Sequence, residues 1–489
     1  MATFADAVDA EMTEVERTEN GMKTNKNTGS KVLDFFGKAG SSRGVDLTSD
    51  FFEALHEDED LALRALQWTR DIRGGSGERQ QFKTIVQNLD KKQPAIAARL
   101  IPKISLIGRF DDLFLYVNPT SRRLAFELIK DSLDAKNGLC AKWMPRKGPI
   151  AVELTKFLKL SPKQYRRLIV DLTDVVETKM CAKDWESINF SHVPSVASAR
   201  YQKAFGRNAN SKYTEYLAEL SKPEAERDPD VKINAGAVYP YDIIKSVSKG
   251  NASAADSQWE ALPNFIGDSR ILAVVDVSGS MTCGGSPSPM DVAVSLGLYV
   301  SEKNTSVFKD MFLTFSAQPE MVKVTGNLSD RINQMTRSSW GMNTDLHKTF
   351  DLILRVAKNG KVSQKEMPEM LLIMSDMQFD RCITYDDSAQ EMIKRKFEDA
   401  GYVMPKIVFW NLRQMSGNSP VRFDDIGVCH ISGFSPAIMK VVLSNSLDDC
   451  DFTPYNVMLE TLNVERYNLD VAEDLEFSDS EDSEDSEDS

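Results

Sequence analysis

Five runs of β-type apolar residues, RILAVVDV, DMFLTFSA, EMLLIMSD, PKIVFWNL and GVCHISG, recur between residues 270 and 433, with stretches of helical periodicity between them. This alternation constrains the chain more than any other feature. A strand that is apolar on both faces must be covered on both, and connections long enough to hold a helix make neighbouring strands parallel. The pattern predicts a doubly wound sheet over residues 266–465. In such sheets ligands bind beyond the carboxyl ends of the strands, where the strand order reverses.

The first run finishes in an unusual way. ILAVVDVSGSM places Asp276, Ser278 and Ser280 at alternate positions just past a buried strand. Further on, SWGMNTDLHKTF puts Thr344 and Asp345 in a glycine-containing loop before a helix, and LLIMSDMQFD ends another buried strand at Asp376. Three loops on one edge of the sheet thus supply hydroxyls and carboxylates. Hard divalent cations, Mg²⁺ above all, take oxygen ligands and keep some waters. Hydroxyls ligate without adding charge, so such a site stays electrophilic and accepts an acidic side chain from a partner. The competing reading is that these residues are simple helix caps.

Other chemistries lack their parts. The nucleophile elbow G-x-S-x-G needs glycine at position 276, and the D-x-D phosphotransfer motif needs aspartate at position 278. GGSGERQ at 74–80 has no G-K-[ST], so it is not a phosphate loop. The four histidines are scattered, and the six cysteines form no C-x-x-C pair, which points to reduced thiols in an intracellular, cytoplasmic protein. With no nucleophile–base pair in view, the chain reads as a non-enzyme. No apolar run approaches the ~20 residues that cross a bilayer, and the N-terminus shows no secretory signal.

Before residue 230 the pattern is helical, and β-branched runs are nearly absent. Residues 1–45 are rich in Asn, Gly, Lys and Ser and read as an extended arm. Residues 46–255 read as a domain of stacked helix pairs, an α-helical solenoid. GNASAADSQWEALPNF, small and polar, marks the boundary with the α/β domain. Residues 466–489 form an acidic tail expected to be disordered.

The net charge of −14 hides an asymmetry. Residues 61–250 carry 33 Lys and Arg against 21 Asp and Glu, whereas 473–489 hold ten acidic residues and no basic one. A polyanion partner therefore suits the helical half alone. LQWTRDIRGGSGER brings Arg70, Arg73 and Arg79 around a Gly-Gly-Ser-Gly turn that would expose amides to an anion. AKWMPRKG and SPKQYRRL place Lys142, Arg146, Lys147, Arg166 and Arg167 close to aromatic rings, a combination that can track a nucleic-acid backbone and stack bases. The plainer reading makes each ring a core residue and each Arg–Asp pair a tie between helices.

D-x-S-x-S, then Thr-Asp, then strand-end Ser-Asp resembles the metal-ion-dependent adhesion site of von Willebrand factor A domains. The resemblance implies Ser278, Ser280 and Thr344 as direct ligands of Mg²⁺ and Asp276 and Asp376 as mainly water-mediated ones. RDIRGGSGER, GRFDDL and INAGAVYPYDII ahead of such a domain resemble the Ro autoantigen (TROVE) family, and a TROVE-like group of viruses, fungi and plants more closely still. That implies a HEAT-like helical solenoid or ring joined to a Rossmann-like A domain. It also implies a non-catalytic RNA-binding protein, taking single-stranded RNA ends or small structured RNA in RNA quality control or ribonucleoprotein assembly. A protein–protein adaptor that binds an acidic partner residue through the metal is the alternative.

Overall fold

The computed structural model describes residues 15–222, 226–236, 238–248, 252–283, 287–315, 318–337, 345–380, 388–413, 418–443 and 451–469. The chain divides into two compact units, one of residues up to Gln81 with Val176–Glu465, the other of Phe82–Val175 with the segment from Arg466.

The first unit is built on a six-stranded sheet. A small antiparallel hairpin precedes it, β1 (Val15–Arg17) and β2 (Lys23–Asn25). The sheet strands are β3 (Ile271–Asp276), β4 (Met311–Phe315), β5 (Met321–Lys323), β6 (Met370–Ser375), β7 (Lys406–Asn411) and β8 (Val428–Ser432), in the order β5-β4-β3-β6-β7-β8. All pairs are parallel except β4 with β5. The doubly wound sheet is therefore as expected, with one short antiparallel edge strand added. β3 and β6 are buried along their whole length, as their unbroken apolar runs require. The Pro289–Lys303 helix lies so close on β3 that a Cβ at Gly297 would collide with Val275 Cγ2. The chain crosses from β3 to β4 on one side and reaches β6 on the other, so the order reverses at β3.

The N-terminal segment corrects the sequence reading. Residues 15–45 are not an extended arm: beyond the hairpin they form the Lys31–Ala39 helix, with Val32, Leu33, Phe35, Phe36 and Ala39 buried. Ser30 caps it through the Leu33 amide. This helix packs on β8, which would otherwise present an open edge. Gly40 N–H donates to Ser432 Oγ at 2.9 Å, and a Cβ at Gly40 would overlap the Ser432 carbonyl oxygen. Phe36 packs tilted against Trp68 at 4.5 Å between ring centroids, which ties in the Glu59–Arg70 helix, and Phe35 meets Phe51 of the Thr48–Glu57 helix edge-on at 5.4 Å. Residues 46–81 and 176–255 therefore belong to the same compact unit as the sheet, and not to one continuous helical domain. The apolar faces of these helices decide the grouping, and those faces are invisible to a boundary drawn from loop composition.

The second unit is helical, with no strand among its described residues. Its principal helices are Pro119–Asp134, Gly138–Trp143, Pro149–Phe157 and Pro162–Leu172. Asn118, Asn137 and Ser161 cap three of them. Buried Asp90 fixes the turn before the first, accepting from the Val117 and Asn118 amides at 2.6 and 2.9 Å and from the Ser121 hydroxyl. Among the described residues no helix is long and apolar enough to cross a membrane, and Cys140, Cys181, Cys283 and Cys429 are free thiols.

Candidate metal centre

Parallel pairing of Val275 with Met374 sets Asp276 level with Ser375 at the carboxyl ends of adjacent strands. This is the switch point of the sheet. Asp276 is fully buried, yet both its oxygens have donors: Ser278 N–H to Oδ1 at 2.9 Å and the Ser375 hydroxyl to Oδ2. Ser278 is buried as well, and its Oγ lies 3.2 Å from Ser280 Oγ. The Arg413 guanidinium, just past β7, holds the turn by donating to the Ser280 carbonyl at 3.1 Å.

Asp376 is the discordant member. Its Oδ1 accepts the Gln378 amide at 3.3 Å, but its buried Oδ2 meets no donor. Burial, and then the charge of Asp376, push the Asp276 carboxyl up to about 7. Burial pushes Asp376 up too, against the nearby Ser280 hydroxyl and Arg413. Burial disfavours the charge on both carboxylates, and Asp376 raises Asp276 further, so a positive charge beside them would favour the ionised form. Met377 adds strain, since this non-glycine residue sits at φ +63° directly after Asp376, at a cost of about 1–2 kcal/mol.

The loop carrying Asp376 is strapped from outside. The turn between β1 and β2 docks on it: Thr18 Oγ1 donates to the Phe379 carbonyl at 2.6 Å and Asn20 Nδ2 to the Gln378 carbonyl at 2.7 Å, while Gln378 Oε1 accepts the Glu19 amide at 2.7 Å. Met22 enters the core beneath it.

Four of the five expected ligands thus meet at one edge, Asp276, Ser278, Ser280 and Asp376, while Thr344 lies outside the described residues. Asp345 caps the Leu346–Asn359 helix through the Lys348 amide at 3.0 Å, so the plain capping reading holds for that residue. Among the described residues no three His, Cys, Asp or Glu side chains converge as a metal cage. The donor set here is instead two carboxylates and two hydroxyls, a hard-oxygen environment that fits Mg²⁺ or a similar cation. Sequence reasoning assigns no role to Ser375, Gln378 or Arg413. The Ser-Asp pair at the end of β6 is visible in the sequence, but the bond from Ser375 to Asp276 depends on strand register.

The cationic residues fare unevenly. Arg70 is buried, so it presents nothing to solvent, while Arg73 is exposed and Arg79 half-buried. The Gly-Gly-Ser-Gly turn does not hold its amides open: Gly75, Ser76 and Glu78 N–H groups donate to the Asp71, Trp68 and Thr69 carbonyls. Its glycines serve packing, because a Cβ at Gly75 would strike the Trp68 carbonyl oxygen. In the helical unit, Arg146, Lys147, Arg166 and Arg167 are exposed and Lys142 is half-buried. Arg167 pairs with Asp171 at 3.5 Å, and Arg109 lies over the Trp143 ring at 3.7 Å.

Fold and sheet edge together define a chain with a doubly wound, mainly parallel α/β domain and a largely helical N-terminal region. Residues 270–474 and 150–269 match two families, each described as a domain of unknown function (DUF7788 and DUF2828). The uncharacterized protein L728 of Acanthamoeba polyphaga mimivirus is 31% identical over 515 aligned positions, covering 92% of this chain and 88% of that one. The chain belongs to the family of that viral protein. The crystal structure of the Ro (RSR) protein of Deinococcus radiodurans is similar over 88% of this chain and 93% of that one, at 14% identity and a TM-score of 0.41. At that distance the likeness carries no functional conclusion.

Proposed function

We propose that this chain is a non-catalytic RNA-binding protein of Ro type whose A domain binds a divalent cation, Mg²⁺ being the natural choice. The cation half of the reading is carried by the buried, donorless Asp376 Oδ2 beside Asp276, Ser278 and Ser280. These residues, with Thr344, would hold the ion. When bound, the cation supplies an electrophilic position for an anionic group of a partner. The chain's own part is to present two hydroxyls and two buried carboxylates and to keep the Asp376 loop in place through Gln378 and the hairpin. The RNA half is supported by the Ro-like motifs and by the charge of the helical unit, where residues 82–175 carry eighteen Lys and Arg against nine Asp and Glu, a net +9. In this reading the protein works in RNA quality control or in assembling a ribonucleoprotein in the cytoplasm.

The same metal position favours a second reading, a protein–protein adaptor that clamps an acidic side chain. Crosslinking in cells, followed by RNA and protein identification, separates the two. Recovered RNA whose binding weakens steeply with salt supports the first. A protein partner lost with EDTA or with Ser278→Ala plus Ser280→Ala, and no RNA, supports the second and refutes the first.

A further inference from the structure

Within the helical unit, the Pro149–Phe157 and Pro162–Leu172 helices and the turn before them enclose a cavity of about 330 Å³. That is within the range of roughly 300–1,000 Å³ usual for small-ligand sites. Ala151, Tyr165 and Ile169 form a buried floor, and Val152, 55% exposed, stands at its side. Arg146, Lys147, Lys156 and Arg166 line it too, with no acidic residue among the lining.

The charge here is not balanced locally. From Lys142 to Arg167 the chain has eight Lys and Arg and one acidic residue, Glu153. Glu153 is already engaged by Arg122, with both oxygens bonded at 2.5 and 2.6 Å. Arg146 and Lys147 also immediately precede a helix that has no acidic residue in its first turn and no side-chain cap. Cations at that end oppose the helix dipole. Such an arrangement costs stability in the free protein and is relieved by a bound anion. An apolar floor rimmed by four cations matches a ligand that offers a flat apolar ring between negative charges. A nucleotide within a single strand offers that combination, with phosphates on both sides of each base, whereas an acidic peptide offers charge without the ring.

Resting on the RNA-binding reading, we infer that this cavity is a nucleotide-binding subsite for single-stranded RNA, with a base against Val152, Ala151 and Ile169 and the flanking phosphates on Arg146, Lys147, Lys156 and Arg166. The test uses the full chain, a fluorescein-labelled oligo(A), a strand of equal length lacking bases, and polyglutamate. Lys147→Glu with Arg166→Glu changes two exposed residues. It should weaken oligo(A) binding at least about tenfold and flatten the slope of log affinity against log salt by about 1.4, at ~0.7 for each phosphate no longer neutralised. Val152→Trp fills the cavity without altering charge. It should bring oligo(A) affinity down to that of the baseless strand and leave the latter unchanged. Circular dichroism and thermal unfolding of both variants should match the wild type. If wild-type protein binds oligo(A) and neither variant alters it, the subsite is refuted while the RNA reading stands. If wild-type protein binds no RNA, both fall. If polyglutamate binds as tightly as oligo(A) and its binding is abolished by charge reversal, the cavity belongs to an acidic peptide and the inference is wrong.

Discussion

Asp376→Asn should reverse its effect on stability with the presence of a divalent cation. In the metal-free protein Asp376 Oδ2 is buried without a donor, next to a second buried carboxylate. A buried acceptor left unpaired costs about 1–3 kcal/mol, and more when charged. The asparagine removes the like charge and places an amide there, so in EDTA the variant should be as stable as wild type or about 1 kcal/mol more so. Mg²⁺ should stabilise wild type alone, by about 2.7 kcal/mol at a hundredfold excess over its dissociation constant. For a unit of this size each kcal/mol corresponds to only about 1–2 °C in Tm, at ~2.1 cal/mol/K of unfolding entropy per residue. The measurement is thermal unfolding of both proteins in EDTA and in rising Mg²⁺ or Mn²⁺, with calorimetric titration of the ion. A wild-type Tm that ignores both ions up to the millimolar range, or an asparagine variant that responds equally, refutes the metal assignment. A variant markedly less stable than wild type in EDTA would show that the repulsion argued for the metal-free site is absent.

Ser375→Ala removes a donor to buried Asp276 and the acceptor of the Met377 amide, and should cost about 1–3 kcal/mol in denaturant unfolding. Gly40→Ala drives a Cβ into the Ser432 carbonyl and should cost about 1–3 kcal/mol, as overpacking usually does, read in the same assay. His430, buried beneath the Lys31–Ala39 helix, is pushed down to about 4 by burial and by Lys38. The unfolded chain then takes up a proton below its ordinary value of 6.5 while the native one does not. The stability is full above that value and falls away as pH drops towards 4, by at most about 3 kcal/mol. His430→Gln should flatten that slope in urea midpoints taken across the window. Deleting 473–489 takes the net charge from −14 to −4, and should tighten non-specific RNA binding at low salt in a filter assay.

The sheet and its edge are legible in the sequence because unbroken apolar runs have one good solution, a strand covered on both faces. The polar residues that end those runs therefore have to lie at one rim. What escapes is whatever depends on register or on distant packing. Ser375 belongs to a recognisable motif, yet its bond to Asp276 exists only because β3 and β6 pair without offset. The Lys31–Ala39 helix hides behind a polar stretch, although Ser30 followed by Val32, Leu33, Phe35 and Phe36 is a usable start signal. Arginines clustered around a glycine-rich turn suggest a surface site, which makes Arg70 look available. Its burial follows from the second half of the Glu59–Arg70 helix, buried without a break from Ala65 onward, with Trp68 against Phe36.

The hairpin's grip on the Asp376 loop also sets an order of events during synthesis. Thr18 leaves the ribosome 361 positions ahead of its partner Phe379. Closing so wide a chain loop is entropically slow, and the strap must wait, undocked, while everything between is translated. The rim at the ends of β3 and β6 is thus completed only in chains translated past β6, so truncated products retain an unfinished edge and a loose N-terminal segment open to proteolysis.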